Sequence, residues 1–211
     1  MPLITLIFII LIVIAFGILT FFEPKIKGWI GEMRFKNWVD TYLDDNYKYF
    51  RNVTLNIDGQ TTQIDKIITS KFGIFLVEVK HYKGWIFGTK AIPMDTTIIQ
   101  KKIRFQNPLR QSFRHIEMLK KITSPELHEH YKSVVVFTSD NCELKNNTAP
   151  NVCKGLTAIR HIKSFDQDII SQSQLDDLVD CIRKYAMQRG FKTDQYHIQN
   201  LKNRHAMKIE K

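Results

Sequence analysis

The chain has 211 residues, of which 31 are Lys or Arg and 21 are Asp or Glu, so its formal net charge is +10. Charged residues make up 25% and apolar residues 44% of the sequence, proportions that allow a packed core and argue against disordered, collagen-like and coiled-coil proteins. The three cysteines are odd in number and lack a CxxC spacing, which favours reduced thiols over disulfides or a zinc ribbon.

The first 22 residues contain no charged side chain, so the surplus of positive charge lies after them. The apolar run from Leu3 to Phe22 would span roughly 30 Å as a helix, the thickness of the hydrocarbon layer of a membrane. No basic residue precedes the run and no small-residue cleavage site follows it, which favours a membrane anchor over a cleaved signal peptide. Basic residues cluster after the run, so the sequence predicts a single-pass protein of the cell membrane with its C-terminal body in the cytoplasm.

The next part of the chain combines one helical pattern with several strand patterns. Apolar residues at three- and four-residue spacing predict a helix over 29–43, which Pro24 separates from the apolar run. Strands are predicted over 49–56, 61–69, 73–80 and, as a short piece, 85–87, with an Asp58-Gly59 turn after the first. The weak pattern of 89–106 predicts a loop.

A second helix begins at Asn107-Pro108, because Asn caps a helix N-terminus and Pro suits its first position. It is predicted to reach about Ile122, with Phe113 on its apolar side. The elements predicted beyond it are strands over 134–137 and 156–161, a helix over 171–189 that Gly190 ends, and a last helix over 194–207. This order predicts one α/β domain with a mixed β-sheet flanked by helices.

Three charged residues, Asp65, Glu78 and Lys80, lie in or at the end of apolar strands, where charge is rare unless paired or bound to metal. If residues 70–73 form a four-residue hairpin loop, Thr69 pairs with Ile74, and Asp65 lies opposite Glu78 with the two Cβ atoms about 5 Å apart. A loop of odd length would turn Asp65 to the other face, so the hypothesis predicts an even-numbered loop. Carboxylates this close repel unless a cation lies between them, which makes the pair a candidate Mg²⁺ or Mn²⁺ site. Lys80 would stabilise charge developing on a phosphate. The alternative is an ordinary ion pair at a strand end, which contributes little.

Two basic regions suit a phosphodiester backbone. The first includes the helix after Pro108 and the segment before it, and its candidate nucleic-acid-binding residues are Lys101, Lys102, Arg110, Arg114 and His115. The second is the tail 183–211, with eight basic and two acidic residues, a surplus of +6 that suits nucleic acid or anionic lipid headgroups. The alternative for the first region is a solvated helix face.

Five short blocks of the sequence follow one another in a characteristic order: 31–32 (GE), 62–67 (TQIDKI), 73–80 (GIFLVEVK), 84–88 (GWIFG) and 107–111 (NPLRQ). On these blocks the chain resembles the nuclease-related domain family, NERD, over residues 28–140. The family is similar to the PD-(D/E)xK nucleases, whose core is a mixed sheet flanked by helices. Segment 91–95, which lacks Trp, departs from the family pattern.

The resemblance implies roles for five residues: Glu32 as a helix carboxylate, Asp65 and Glu78 as metal ligands, Lys80 as the catalytic lysine, and Gln111 as a polar partner. The expected organisation is a transmembrane anchor over 1–23, a nuclease-like domain over 28–140, and a completion of the sheet with a helix and basic tail over 141–211. The expected function is a membrane-anchored, metal-dependent nuclease that hydrolyses DNA or RNA. The alternatives are a non-catalytic, membrane-tethered module on this fold that binds nucleic acid or a partner, and a membrane scaffold.

Overall fold

The computed structural model describes residues 3–87, 96–99, 102–145 and 149–209. The helices are α1 (Leu3–Tyr42), α2 (Pro108–Lys120), α3 (Thr157–Lys163), α4 (Gln172–Tyr185) and α5 (Phe191–Ile209), with a 3₁₀ turn at Pro125–His130. The strands are β1 (Lys48–Ile57), β2 (Gln60–Ser70), β3 (Gly73–Lys80), β4 (Gly84–Phe87), β5 (Thr96–Ile99), β6 (Lys102–Phe105), β7 (Tyr131–Phe137), β8 (Cys142–Lys145) and β9 (Val152–Lys154).

Over the described residues, the main sheet has the strand order β1-β2-β3-β7-β9. Its first three strands are antiparallel, whereas β7 and β9 run parallel to β3, so the sheet is mixed. Helices α1 and α3 pack on one face around Phe35 and Phe75, and helices α2 and α4 pack on the other around Leu76 and Leu119. A smaller sheet of order β6-β5-β4-β8 lies beside it. The predicted α/β fold with a mixed sheet flanked by helices is confirmed.

The hairpin of β2 and β3 has the register predicted from the sequence. Thr69 pairs with Ile74, and one further pair, Ser70 with Gly73, leaves a turn of two residues. This turn is shorter than the four-residue loop assumed above, but its length is also even, so the same faces of the two strands align. Lys66 pairs with Val77 on this ladder. The next position along the two strands therefore brings Asp65 beside Glu78.

The pairing of β1 with β2 is interrupted at Asn52 and Asp65. Asn52 has a φ of 49°, a left-handed conformation that Asn tolerates better than most residues. The ladder runs from the Arg51–Lys66 pair to the Val53–Ile64 pair without a bridge between them. In a regular strand, residues three positions apart lie on opposite faces. Ile64 and Ile67 nevertheless belong to the same core cluster, so the alternation of side chains reverses at the interruption. Asp65 therefore lies at an irregular position in the middle of the sheet.

The structure of helix α1 differs from the predicted membrane anchor. The apolar run and the predicted helix 29–43 form one continuous helix that passes through Pro24. A proline removes one backbone hydrogen bond, but here it does not end the helix. The second half of α1 carries charged side chains and packs on the main sheet through Phe35 and Val39. In the described part of the chain, no helix is both long enough and apolar enough to cross a bilayer. The anchor predicted over 1–23 and the localisation at the cell membrane are therefore wrong, and the predicted contact of the tail with lipid has no support.

Three other segments differ from their predicted structure. Residues 96–99 and 102–105 are strands rather than loop, because they pair with each other and the first also pairs with β4. Residues 157–163 form α3 rather than a strand, with Ala158, Ile159 and Ile162 buried at helical spacing. Helix α4 ends at Tyr185, ahead of Gly190. Segment 91–95 lies outside the described residues.

Gly31 allows α1 to approach the end of β3 closely. A Cβ atom at this position would lie 2.8 Å from His81 Cβ and 2.8 Å from Thr138 Oγ1, both too short for a normal contact. Gly28, three residues earlier on the same helix, would place its Cβ in open space, with nothing within 4 Å. Packing therefore requires a glycine at position 31 but not at position 28, so the two positions can be compared by the same substitution.

We predict that Gly31→Ala lowers the free energy of unfolding by about 1–2 kcal/mol, because the added methyl group overpacks the contact with His81 and Thr138. Gly28→Ala should raise it by up to about 1 kcal/mol, because Ala is the better helix former and meets no neighbour. Urea denaturation of both variants measures the difference. Equal stability of the two variants would contradict the close approach at Gly31.

Candidate active site

Asp65, Glu78 and Lys80 come together where β2 and β3 pair. The Glu78 side chain is 2% exposed, so its carboxylate lies inside the protein. The Lys80 ammonium donates a hydrogen bond from Nζ to Glu78 Oε1 over 2.6 Å, and the lysine side chain is 21% exposed. The site is thus a buried carboxylate whose cationic partner reaches toward the surface.

The pKa of Glu78 is affected by the neighbouring Asp65. Burial and, second, the negative charge of Asp65 raise the pKa of Glu78 to about 7, against the lowering effect of Lys80. A hydrogen bond with Asp65, which only a protonated Glu78 can donate, also raises this pKa. At pH 7 the Lys80 ammonium therefore does not keep Glu78 fully ionised.

The two carboxylates fit a divalent cation of the Mg²⁺ or Mn²⁺ type. Such an ion would offset the repulsion that raises the pKa of Glu78, and Mg²⁺ commonly takes one or two carboxylates together with waters and phosphate oxygens. Among the described residues, no group of three or more His, Cys, Asp or Glu side chains is arranged to hold a metal ion. Asp65 and Glu78 would consequently need water or substrate oxygens to complete the coordination.

Glu32 lies in a different ion pair. Its carboxylate accepts a hydrogen bond from Lys66 Nζ over 3.2 Å, and the same ammonium donates to Asn52 Oδ1 over 3.1 Å. Lys66 is 1% exposed, whereas the Glu32 side chain is 45% exposed. The structure therefore connects α1 to β1 and β2 through a buried lysine, and it does not group Glu32 with Asp65 and Glu78 as a third metal ligand.

Helix α2 carries two polar side chains of interest, Gln111 and His115, and the charge of Lys80 acts on the second. Asn107 caps the helix as predicted, because its side-chain oxygen accepts from Leu109 N over 2.9 Å. Gln111 is half-buried, and His115, one turn later, is 9% exposed. Burial first, followed by the charges of Arg114, Lys80 and His197, lowers the pKa of His115 to about 4. The imidazole is therefore neutral at pH 7.

The predicted basic patch is divided by the structure. Arg110 and Arg114 are exposed on α2, whereas His115 is buried on the side that faces the sheet. Lys101 lies outside the described residues, and of Lys102 only the backbone, in β6, is described. The two arginines are thus the members of the patch that are placed to meet a ligand from solvent.

Residues 27–138, more than half of the chain, match the family described as Nuclease-related domain. The chain belongs to this family. An uncharacterized protein of Bacillus anthracis is 39% identical over 106 residues, which are 49% of this chain and 50% of that protein. The chain therefore spans about half the length of the curated relative it matches. No solved structure matches the chain.

The nuclease-related domain contains all five residues to which the resemblance assigned a role, from Glu32 to Gln111. Elements beyond residue 138 complete its two layers: β9 joins the edge of the main sheet, and helices α3 and α4 cover its two faces. Residues after 138 therefore cover part of the sheet that the nuclease-related domain forms.

Lys66 is the residue of this region that the sequence analysis missed. A signal was available, because a lysine inside the apolar run 64–68 is as unusual as the aspartate before it. Alternation places these neighbours on opposite faces of β2, so Lys66 faces α1. Recognising its partner required knowing that α1 covers that face.

We predict that Glu32→Ala destabilises the protein by about 3 kcal/mol, because it leaves a buried ammonium without its counter-charge. Lys66→Met should cost less, about 1 kcal/mol, because the half-exposed Glu32 carboxylate that remains can be solvated. The double variant should be close to Lys66→Met alone. Urea denaturation at pH 7 measures all three, and a larger loss for Lys66→Met than for Glu32→Ala would contradict this account.

The lowered pKa of His115 predicts that stability falls in acid. Below pH 6.5 the unfolded chain binds a proton at this position and the folded chain does not, so stability is full above pH 6.5 and decreases toward pH 4. Between pH 7 and pH 5 the loss from this group should be about 2 kcal/mol. His115→Gln, which cannot titrate, should show a pH dependence that is smaller by this amount. Identical pH profiles of unfolding for the two proteins would refute the assignment.

Proposed function

We propose that this protein is a metal-dependent nuclease that hydrolyses phosphodiester bonds of DNA or RNA on a core similar to that of the PD-(D/E)xK nucleases. The observation that carries the proposal is the half-buried Asp65 beside the buried Glu78, with Lys80 bonded to Glu78 over 2.6 Å, inside a nuclease-related domain. An ion pair with only a structural role would not require a second carboxylate that raises the pKa of the first.

Asp65 and Glu78 are the side chains that would hold Mg²⁺ or Mn²⁺. When bound, such an ion polarises a phosphoryl oxygen and lowers the pKa of a coordinated water. The two carboxylates belong to neighbouring strands of the sheet rather than to loops. Glu78 itself is buried, which strengthens the charge interactions that its carboxylate makes.

Lys80 provides the positive charge for the reaction. Hydrolysis forms a bond from a water oxygen to phosphorus and breaks the bond to the leaving nucleotide oxygen, and negative charge accumulates on the phosphoryl oxygens between these events. The Lys80 ammonium is held beside Glu78 and partly exposed, so it can face a phosphate and stabilise this charge. Gln111, half-buried on α2, is the candidate for orienting the water.

Contacts with the rest of the substrate would come from exposed cations. Arg110 and Arg114 lie on the solvent side of α2, one turn apart, where each can bind a phosphate of the backbone. Glu32 has a structural role in this proposal, because its partner Lys66 is buried and is not directed to a ligand from solvent. The basic residues of the tail add charge that favours any polyanion without selecting a sequence.

The purified full chain should cleave plasmid DNA or RNA in the presence of Mg²⁺ or Mn²⁺ and should not cleave after EDTA treatment. Asp65→Asn and Lys80→Met should each lower the rate by about 100-fold or more, as expected for loss of a ligand or of transition-state charge stabilisation. Asp58→Asn is the matched control. It makes the same chemical change at the exposed turn between β1 and β2, where Asn tolerates the φ of 49°.

Agarose and denaturing gels with end-labelled substrates measure the cleavage. Activity that persists in Asp65→Asn would assign the cleavage to another site or to a contaminant. Salt-dependent binding of nucleic acid with no cleavage in any metal would replace the proposal by the non-catalytic alternative.

A further inference from the structure

A cleft of about 460 Å³ lies between α1 and the segment that follows β3. Its lining consists of Thr20, Glu23, Ile26, Lys27 and Ile30 from α1 and of His81 and Lys83 from that segment. The volume lies within the range of sites that bind small ligands. Because His81 directly follows Lys80, the cleft lies at the same end of β3 as the candidate active site.

The wall of the cleft nearest the active site is held by several contacts. His81 Nδ1 and Thr138 Oγ1 are hydrogen-bonded over 3.0 Å, and Arg34 donates to the Thr138 carbonyl oxygen over 3.1 Å. Arg34 also pairs with Asp140 over 2.7 Å. Gly31 brings α1 against this wall, as described above. The position of His81 relative to the helix is thereby fixed before any ligand arrives.

Positively charged side chains outnumber negatively charged ones around the cleft. Burial first, and then Arg34, Lys83 and Lys27, lower the pKa of His81, and Asp140 opposes them. Glu23 in the cleft pairs with Lys27, and the charge of Lys83 also acts on Glu23. Two lysines against one glutamate leave a surplus of one positive charge, and Lys83 is the more exposed of the two lysines. The apolar side chains of Ile26 and Ile30 form the other part of the lining. A ligand that combines a flat apolar ring with a negative charge complements both parts.

We propose that this cleft binds one nucleotide of the substrate strand, with its base against Ile26 and Ile30 and its phosphate beside Lys83. This inference rests on the proposed nuclease function, because the cleft would hold a part of the nucleic-acid substrate next to the bond that is cleaved. The cleft lies on the α1 side of β3, whereas Arg110 and Arg114 lie on α2, which covers the other face. A bound strand would therefore cross the end of β3 from one helix to the other and pass Lys80 on the way.

Binding by the full chain can be measured without cleavage in EDTA, with fluorescein-labelled single-stranded and duplex oligonucleotides at several salt concentrations. Lys83→Gln should weaken binding by about 3- to 10-fold and reduce the salt slope by about one, the signature of a lost phosphate contact. Lys25→Gln is the matched control, because it removes the same charge from an exposed position of α1 that does not line the cleft. It should bind like the unaltered chain.

Ile26→Ser tests the apolar part of the cleft. Ile26 is 48% exposed, so its replacement should leave the fold intact. The variant should weaken binding of the single-stranded oligonucleotide by about 3-fold or more without changing the salt slope, because an apolar contact releases no counterions.

The outcomes separate this inference from the proposed function. If the chain cleaves nucleic acid while Lys83→Gln and Ile26→Ser bind like Lys25→Gln, the cleft proposal is wrong and the nuclease proposal stands. If no metal supports cleavage but binding depends on Lys83 and Ile26, the nuclease proposal is wrong and the cleft remains a nucleotide site. Failure of the unaltered chain to bind either oligonucleotide would overturn the cleft proposal.

Discussion

The pairing of Thr69 with Ile74 determines which side chains of β2 and β3 share a face. Because strand side chains alternate with a period of two, a slip of one residue would turn Asp65 away from Glu78 and place it among apolar groups. The turn that fixes the register is closed by Ser70, which is fully buried, accepts from Phe72 N over 3.2 Å and donates to the Gly73 carbonyl oxygen over 3.3 Å. The Ser70 hydroxyl group thus stabilises the turn at which the register of the two strands is set.

The sheet accommodates two buried charges of opposite sign by the same arrangement. On the α2 side, the buried Glu78 carboxylate is paired with a lysine that reaches solvent, and on the α1 side the buried Lys66 ammonium is paired with a half-exposed glutamate. Each pair keeps one charge hydrated, which reduces the desolvation cost that a fully buried ion pair would incur. The difference lies in the surroundings. Asp65 adds a second negative charge beside Glu78, whereas Lys66 finds the neutral amide oxygen of Asn52.

The parts of the fold that sequence predicted well are those that local chemistry determines. The hairpin of β2 and β3, the Asn107 cap and the mixed α/β class follow from alternation, turn length and capping, all of which act over a few residues. Strands β5 and β6 were missed because their partners, not their own pattern, stabilise them. Phe113 was expected in the core and is 62% exposed, whereas His115 is buried. Helical periodicity alone could not tell which flank of α2 the sheet covers.

Helix α1 is 40 residues long, so it extends roughly 60 Å without a break between its apolar first half and the half that packs on the sheet. Each helical residue rotates the following ones by about 100°, so the docking of Phe35 and Val39 also fixes the direction in which the exposed Leu6 and Ile7 point. One inserted residue between the halves would turn these two side chains by about a quarter of a turn around the helix axis. Seven inserted residues would return them nearly to their original direction. The angular relation between the two halves is therefore encoded in the number of residues that separate them, independently of what those residues are.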